Sequence, residues 1–401
     1  MMRHTLSIIN YSLANLCRLV VSATFVFSGL VKIIDPHGTV YKIQDYLAAL
    51  HLQELFDFPL LPWVITFVIA VLEFCLGVCL FFNIRRRMTI LFMLFITLLY
   101  TPLTLWLAIT DAVTDCGCFG DALHLTNWQT FGKNLVLVVL LIYLWQQRNR
   151  IISFLSESLH WIVSLFTILY AVFLLGLTLY GEPIIDFRPF HIGQHIPTAM
   201  EMPEDPTEQP EIIDFSIEPI FYDTLAYYQI PGTEELLADT SYTFLLTAPN
   251  LEDADDSNME RINAIYDYAK VHNYRFICLT ASADSTINRW QDLTGAEYPF
   301  AFMDELTLKT ITRSNPGLVL LHNGTIVGKW SHMTMPSEKT LIAPLDELSL
   351  AHPRIEAFHT KLILLALWYL GPLAALILLD RLYISIQWWR RKRRQNTTAH
   401  A

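Results

Sequence analysis

Charge is scarce in this chain. Asp, Glu, Lys and Arg make up 16% of its 401 residues, while 53% are hydrophobic. Soluble globular proteins carry about 25% charged residues, so a single soluble domain is a poor description. Glycine numbers only 15, and none of it is arranged as a phosphate-cradling loop. An H-E-x-x-H pair is also missing. No histidine falls deep within an apolar run, which argues against a bis-histidine haem. Cysteine is sparse too: Cys17, Cys75, Cys79, Cys116, Cys118 and Cys278 are too few and too scattered for a disulfide-dense secreted domain.

What is present is apolar sequence in long runs. A bilayer needs about 20 apolar residues per spanning helix. Six runs read as spans, near 13–34, 61–82, 88–109, 131–145, 159–180 and 362–379, of which the fourth is short. The first carries no small-x-small cleavage site and reads as a retained helix. Charge divides the chain in two. Residues 182–356 hold 28 acidic and 10 basic side chains; the remainder holds 10 acidic and 17 basic. An acidic soluble part repels phosphate, and the basic residues sit at helix ends, so nucleic acid is not an expected partner. The lipid bilayer is.

Basic clusters set the expected orientation. Arg85, Arg86 and Arg87 join spans two and three. Arg148 and Arg150 join spans four and five, and Arg390 to Arg394 follow span six. All three fall on one side if six spans alternate. The expectation is a multi-pass protein of a bacterial inner membrane with both termini cytoplasmic and residues 182–358 outside. Loop 35–60 has the spacing of a short amphipathic helix at the interface, through Tyr41, Ile43, Tyr46, Leu47 and Leu50.

The segment with most chemistry is Asp115-Cys116-Gly117-Cys118-Phe119-Gly120-Asp121, in the loop between spans three and four. Cys-x-Cys can close a small strained disulfide, and glycine gives the backbone the freedom to do so. Strain favours oxidation of other thiols, and the expected compartment lets a disulfide persist. Asp115 and Asp121 should disfavour a thiolate. A structural disulfide bracing the loop is a second reading. Half of a metal site is a third, with only His124 near. Cys75 and Cys79 share a face of span two and read as packing residues. Glu73 is an acid inside span two and should have a partner or relay protons. Arg18 and Lys32, near the ends of span one, could snorkel.

These residues carry a family resemblance. Ser28-Gly29-Leu30-Val31-Lys32-Ile33-Ile34-Asp35-Pro36, the intramembrane Glu73 and above all Asp115-Cys116-Gly117-Cys118-Phe119-Gly120 resemble DoxX-like and methylamine-utilisation MauE-like membrane proteins. The resemblance spans about 10–150. It implies a four-helix membrane bundle tied to redox processes outside the cytoplasm, with Cys116 and Cys118 catalytic. Asp115, Gly117, Phe119, Gly120, Asp121, Glu73 and Lys32 then support them. The DoxX likeness makes a quinone a candidate cofactor; no other cofactor is indicated.

The expected organisation is a four-helix domain at 1–150, a fifth span within 151–181, an acidic Pro-rich linker at 182–239, an α/β domain at 240–350, and a sixth span with a basic tail at 360–401. Within 240–350 the pattern reads β-α-β-α-β-β-α, with a hairpin at His322-Asn323-Gly324-Thr325 and a final helix near 338–348. This order resembles thioredoxin. Arg313-Ser314-Asn315-Pro316-Gly317 matches the segment entering that fold's central hairpin, which places a cis peptide bond before Pro316. The position that follows the first strand reads Ala248-Pro249-Asn250-Leu251-Glu252-Asp253 and lacks cysteine, so this domain cannot run dithiol chemistry. Three functions remain in view. One is a thiol–disulfide oxidoreductase, or an accessory to one, acting on envelope protein thiols through Cys116 and Cys118. The others are a non-enzymatic assembly or docking protein with a structural disulfide, and a quinone-linked oxidoreductase subunit.

Overall fold

The computed structural model describes residues 2–52, 58–113, 116–203, 209–220, 230–352 and 358–399. They form two compact units, Met1–Gly176 with Phe358–Ala401, and Leu177–Ala357.

The first unit is helical: α1 (Met2–Ile34), α2 (Pro36–Ala49), α3 (Leu61–Phe81), α4 (Arg86–Thr110), α5 (Asn127–Gln147), α6 (His160–Tyr180) and a last helix, Phe358–Ala399. Six of these are long and apolar enough to cross a membrane. The fourth span is longer than its apolar run indicates, because polar residues extend it at both ends. A Thr126–Gln129 capping box starts it at Asn127. The short α2 is the amphipathic helix expected in loop 35–60. Asp35 caps it by accepting from the Gly38 amide, and Pro36 opens its first turn.

Helices α1 and α3 touch backbone to backbone. A Cβ on Gly29 would sit 2.3 Å from the Phe74 amide nitrogen, and one on Gly77 would sit 2.7 Å from that of Val26. Small residues permit such approach within a membrane, where close packing replaces the hydrophobic drive between helices. Below this contact, Cys17, Val21 and Phe25 pack with Leu80, Met93, Leu137 and Leu141. Cys17 is thus a packing residue. Arg18 does not snorkel. It is buried, donates to the Ile152 carbonyl at 2.6 Å and lies 4.8 Å from the Phe154 ring. The loop at 150–155 folds back under the bundle and gives the guanidinium partners there. Helix α6 and the last helix join through Thr167 and Tyr369, whose hydroxyls are 2.8 Å apart.

The second unit is built on a six-stranded sheet. Its strands are β1 (Glu218–Pro219), β2 (Tyr242–Ala248), β3 (Arg275–Thr280), β4 (Phe300–Phe302), β5 (Gly317–His322) and β6 (Thr325–Ser331). The order is β1-β4-β3-β2-β5-β6. Strands β2, β3 and β4 are parallel; β5 runs antiparallel to β2, and β6 turns back antiparallel to β5 as a hairpin. Side chains alternate between faces with period two. Phe244, Leu246, Phe276, Cys278, Leu318 and Leu320 enter one core layer. Leu245, Ile277, Leu279, Val319 and Leu321 enter the other. Helices Met259–Val271 and Asp284–Thr294 connect the parallel strands. This is a thioredoxin-like α/β arrangement. Asn323 and Gly324 both have positive φ at the hairpin turn, and the Asn315–Pro316 bond is cis.

Three features depart from expectation. Strand β4 and a helix at Glu305–Ile311 precede the hairpin; three residues are too few for a strand period to register. The helix expected near 338–348 is a run of turns with one 3-10 turn at Leu345–Glu347. There the Thr340 hydroxyl donates to the Ser337 carbonyl at 2.7 Å and accepts from its amide at 3.0 Å, competing with a helical ladder. Residues 182–203, 209–220 and 230–239 are not a linker. Phe190, Ile196, Ile212, Phe215 and Leu236 bury against the sheet as its second cover. Charge pins that cover. Buried Lys329 on β6 donates to Asp186 at 2.7 Å and to the Phe190 carbonyl at 2.8 Å, and Arg188 bridges Asp186 and Glu182.

Candidate functional site

The cysteine loop lies between α4 and α5, and its two ends are tied together. Asn127, at the start of α5, donates to Asp111 at 3.0 Å and to the Val113 carbonyl at 2.9 Å. Gly117 and Gly120 take positive φ, which turns the chain tightly. At Gly117 there is also no room for more: a Cβ would lie 2.8 Å from the Lys42 side chain. Phe119 is buried, with its ring 5.3 Å from that of Phe27 and the Lys133 ammonium 4.3 Å from its centroid.

The loop's carbonyls are held from the membrane helices. Lys32 Nζ lies 2.6 Å from Ser28 Oγ, 2.8 Å from Glu73 Oε2 and 2.8 Å from the Cys118 carbonyl oxygen. An ammonium has three protons, which these three close acceptors engage, with the Ser28 carbonyl a fourth and longer one at 3.4 Å. Ser28 Oγ lies 2.7 Å from Glu73 Oε2 and 2.8 Å from the same Cys118 carbonyl. Its single proton serves one of them at a time. Tyr100 donates to the other Glu73 oxygen at 3.2 Å, and the Tyr46 hydroxyl donates to the Cys116 carbonyl. Lys32 is therefore not a snorkelling residue. The close α1–α3 contact places Glu73 beside it, and the pair is buried.

The two sulfurs lie 2.9 Å apart. Donation from the Cys116 S–H, together with the Lys133 and Lys32 charges, holds the Cys118 thiol below its ordinary range despite burial. Its counterpart Cys116, whose proton is engaged by Cys118 and which is buried, is pushed up. Among the described residues, the lysine charges that act on these thiols come from helices distant in sequence. Asp115 lies outside the described residues. Asp121 does not line the cavity that the thiols face.

That cavity has a volume of about 220 Å³ and lies within the helical unit. Cys116, Gly117, Cys118, Lys32 and Glu73 line it together. Its apolar wall includes Phe25, Leu103 and Leu137; its polar wall includes Tyr100, Thr104 and Asn134. Phe119 and Gly120 pack behind the loop rather than into the cavity. Lys133, Asn134 and Tyr100 were not recognised from sequence as site residues. Their signal was polarity inside apolar spans, which points inward in a bundle. Among the described residues, no group of three His, Cys, Asp or Glu side chains could hold a metal.

The other cysteines stay apart. Cys75 and Cys79 are half-buried free thiols on α3, and Cys278 is fully buried in the sheet. In the second unit, the segment that follows β2 is closed by hydrogen bonds to Asn315, just before β5. Asn315 donates to the Asn250 carbonyl at 2.7 Å, and the Asp255 amide donates to the Asn315 carbonyl at 2.9 Å. Ser314 Oγ is 2.9 Å from His332 Nδ1, whose Nε2 is 3.3 Å from Asp255.

Residues 10–146 match the family model described as "Methylamine utilisation protein MauE". The solved structures include one match, "Solution structure of a putative protein disulfide isomerase from Bacteroides thetaiotaomicron". It is 15% identical, covers 34% of this chain and 85% of its own, and has a TM-score of 0.26. No curated protein matches the chain.

Proposed function

We propose that this multi-pass protein, MauE-like in its membrane domain and thioredoxin-like in its second unit, oxidises thiols of envelope proteins through Cys116 and Cys118. The observation that carries the reading is the pair itself, two sulfurs 2.9 Å apart on the wall of a membrane-domain cavity. A thiolate stabilised at Cys118 favours the reduced pair, which makes its disulfide an oxidant. The lower-pKa sulfur is also the better leaving group. A partner thiolate therefore attacks the Cys116 sulfur of the closed disulfide, and the bond to Cys118 breaks with Cys118 leaving as thiolate. A second partner thiolate then attacks the mixed disulfide and releases Cys116. The partner gains one disulfide and loses two protons and two electrons; the pair gains them.

Turnover then needs an acceptor. The cavity combines an apolar wall with the Tyr100 hydroxyl, Thr104 and Asn134, a set that suits a quinone ring, and those three residues would hold its polar edge. A quinone bound there would supply a two-electron, two-proton acceptor. The thioredoxin-like unit, with no cysteine after β2 and Cys278 buried, serves as a docking module rather than a second exchanger. The basic clusters support placing Arg85 to Arg87 in the cytoplasm and residues 182–358 outside, in a bacterial inner membrane.

Alkylation with a mass tag, with and without reductant, tests the reading. Incubating the protein with a reduced dithiol peptide should convert a tag-resistant Cys116–Cys118 pair to two tagged thiols and close the peptide's disulfide in equal amount. A pair that never changes state under any partner would instead be a structural brace.

A further inference from the structure

A second cavity lies at the far end of the same helices. Helix α4 runs from Arg86 at this cavity to Thr110 near the cysteine loop, about 37 Å away at 1.5 Å per residue. The cavity measures about 1260 Å³ and lies between the α3–α4 turn, the start of α4 and the segment 153–168. Its two ends differ in kind. At one end Arg85, Arg86 and Arg87 line it, with Glu157 as the acidic residue among its lining. No carboxylate pairs with these arginines among the described residues; Arg86 donates to Asn149 at 3.2 Å. Helices α4 and α6 both begin here, at Arg86 and His160, and add the positive ends of their dipoles. Toward the membrane interior the lining turns apolar through Leu76, Phe92, Leu165 and Ile168.

Two further polar atoms at the cationic end have no partner. Asn83 is more than nine-tenths buried and donates to the Ile151 carbonyl at 3.4 Å, but its Oδ1 accepts no hydrogen bond; Nε2 of the half-buried His160 is also inaccessible and unpaired. Buried polar atoms without partners are uncommon and costly. A ligand that satisfies this cavity must carry an anion for the arginines, hydroxyl groups for Asn83 and His160, and an aliphatic chain for the α4–α6 groove.

We propose that this cavity binds one anionic glycerophospholipid with a hydroxylated headgroup, of the phosphatidylglycerol kind. The phosphodiester sits against Arg85 and Arg87, the headgroup hydroxyls reach Asn83 and His160, and an acyl chain fills the groove past Phe92. A zwitterionic lipid brings its own ammonium to the arginines and is disfavoured by the same charge. A free phosphate leaves the apolar groove empty.

The test is native mass spectrometry of the full-length protein released from detergent, titrated separately with phosphatidylglycerol, phosphatidylethanolamine and inorganic phosphate. One phosphatidylglycerol should survive at activation energies that strip the others. R85Q/R87Q should weaken it roughly ten- to thirtyfold, the effect of two cations at an anionic surface. R390Q/R391Q, in the basic tail, should leave it in place. Both Arg85 and Arg87 are exposed, so the fold should tolerate their loss. As a check that needs no variant, phosphatidylglycerol should raise the melting temperature of the wild-type protein and phosphatidylethanolamine should not. Equal retention of phosphatidylethanolamine, an equal loss in the tail variant, or displacement by millimolar phosphate would each overturn the assignment.

Discussion

Lys32 and Glu73 form a buried ion pair, with Nζ 2.8 Å from Oε2, and the same ammonium nitrogen holds the Cys118 carbonyl at 2.8 Å. A charge pair inside the membrane helices is thereby joined directly to the cysteine loop. Isolated charges at such depth cost several kcal/mol. The pair persists because each partner is satisfied, and the loop supplies one of the acceptors.

Lys32→Met leaves Glu73 buried without a counter-charge and should cost about 3–5 kcal/mol. Adding Glu73→Leu removes the stranded charge and should restore much of the thermal stability in detergent. It should not restore the loop fully, since only the Ser28 hydroxyl then holds the Cys118 carbonyl and the lysine's bond to it is gone. Alkylation of Cys118 by a bulky maleimide should be faster in the double variant than in wild type. A double variant with wild-type thiol reactivity would show that the clamp does not position the cysteines.

The depressed Cys118 thiol makes a pH prediction. A lowered pKa leaves thiolate present at lower pH, so Cys118 should be alkylated below the range of an ordinary thiol near pH 8.5. Lys133→Met removes one of the stabilising charges and should move the alkylation profile upward. Cys116→Ser exchanges the thiol donor for a hydroxyl and separates its contribution from that of the lysines. An unchanged profile in both variants would contradict the electrostatic account.

Asp186 supplies a second pH dependence, in the sheet domain. Burial alone would raise its carboxyl, but Lys329 and Arg188 hold it well below the usual range. The stabilisation is therefore complete above the unfolded value near pH 3.9 and is lost as pH falls toward the folded one. Hydrogen exchange along β6 should accelerate in acid accordingly. Asp186→Asn should remove much of that dependence and destabilise the domain at neutral pH by about 3–5 kcal/mol, because Lys329 and Arg188 lose their shared counter-charge.

Sequence revealed what depends on local pattern. Six spans, the short α2 and the Asn323-Gly324 turn follow from runs, periods or short motifs, and the cis bond before Pro316 from the thioredoxin resemblance. Cys116 and Cys118 stood out for the same reason. The surroundings of the thiols did not. Lys133 and Tyr100 reach the site only through helix packing, and Gly29 and Gly77, by letting α1 and α3 approach closely, bring Lys32 beside Glu73. The flanking acids were the visible charges, whereas Lys32 and Lys133 govern Cys118 from α1 and α5. The Pro-rich stretch before β2 read as a linker because its apolar residues have no period. Phe190, Phe215 and Leu236 are nonetheless core residues, placed one at a time by an irregular chain.

Trapping a partner tests the central claim most directly. Cells expressing Cys118→Ser, in which Cys116 can join a partner but no neighbouring thiol can resolve it, should accumulate a reductant-sensitive adduct of the protein on non-reducing gels. The adduct should be weaker in Cys116→Ser and missing in the double variant, while Cys75→Ala and Cys79→Ala leave the wild-type pattern unchanged. An account based on exchange at Cys116 and Cys118 predicts that result. Full function in both single variants and the double variant, with no adduct in any of them, would contradict it.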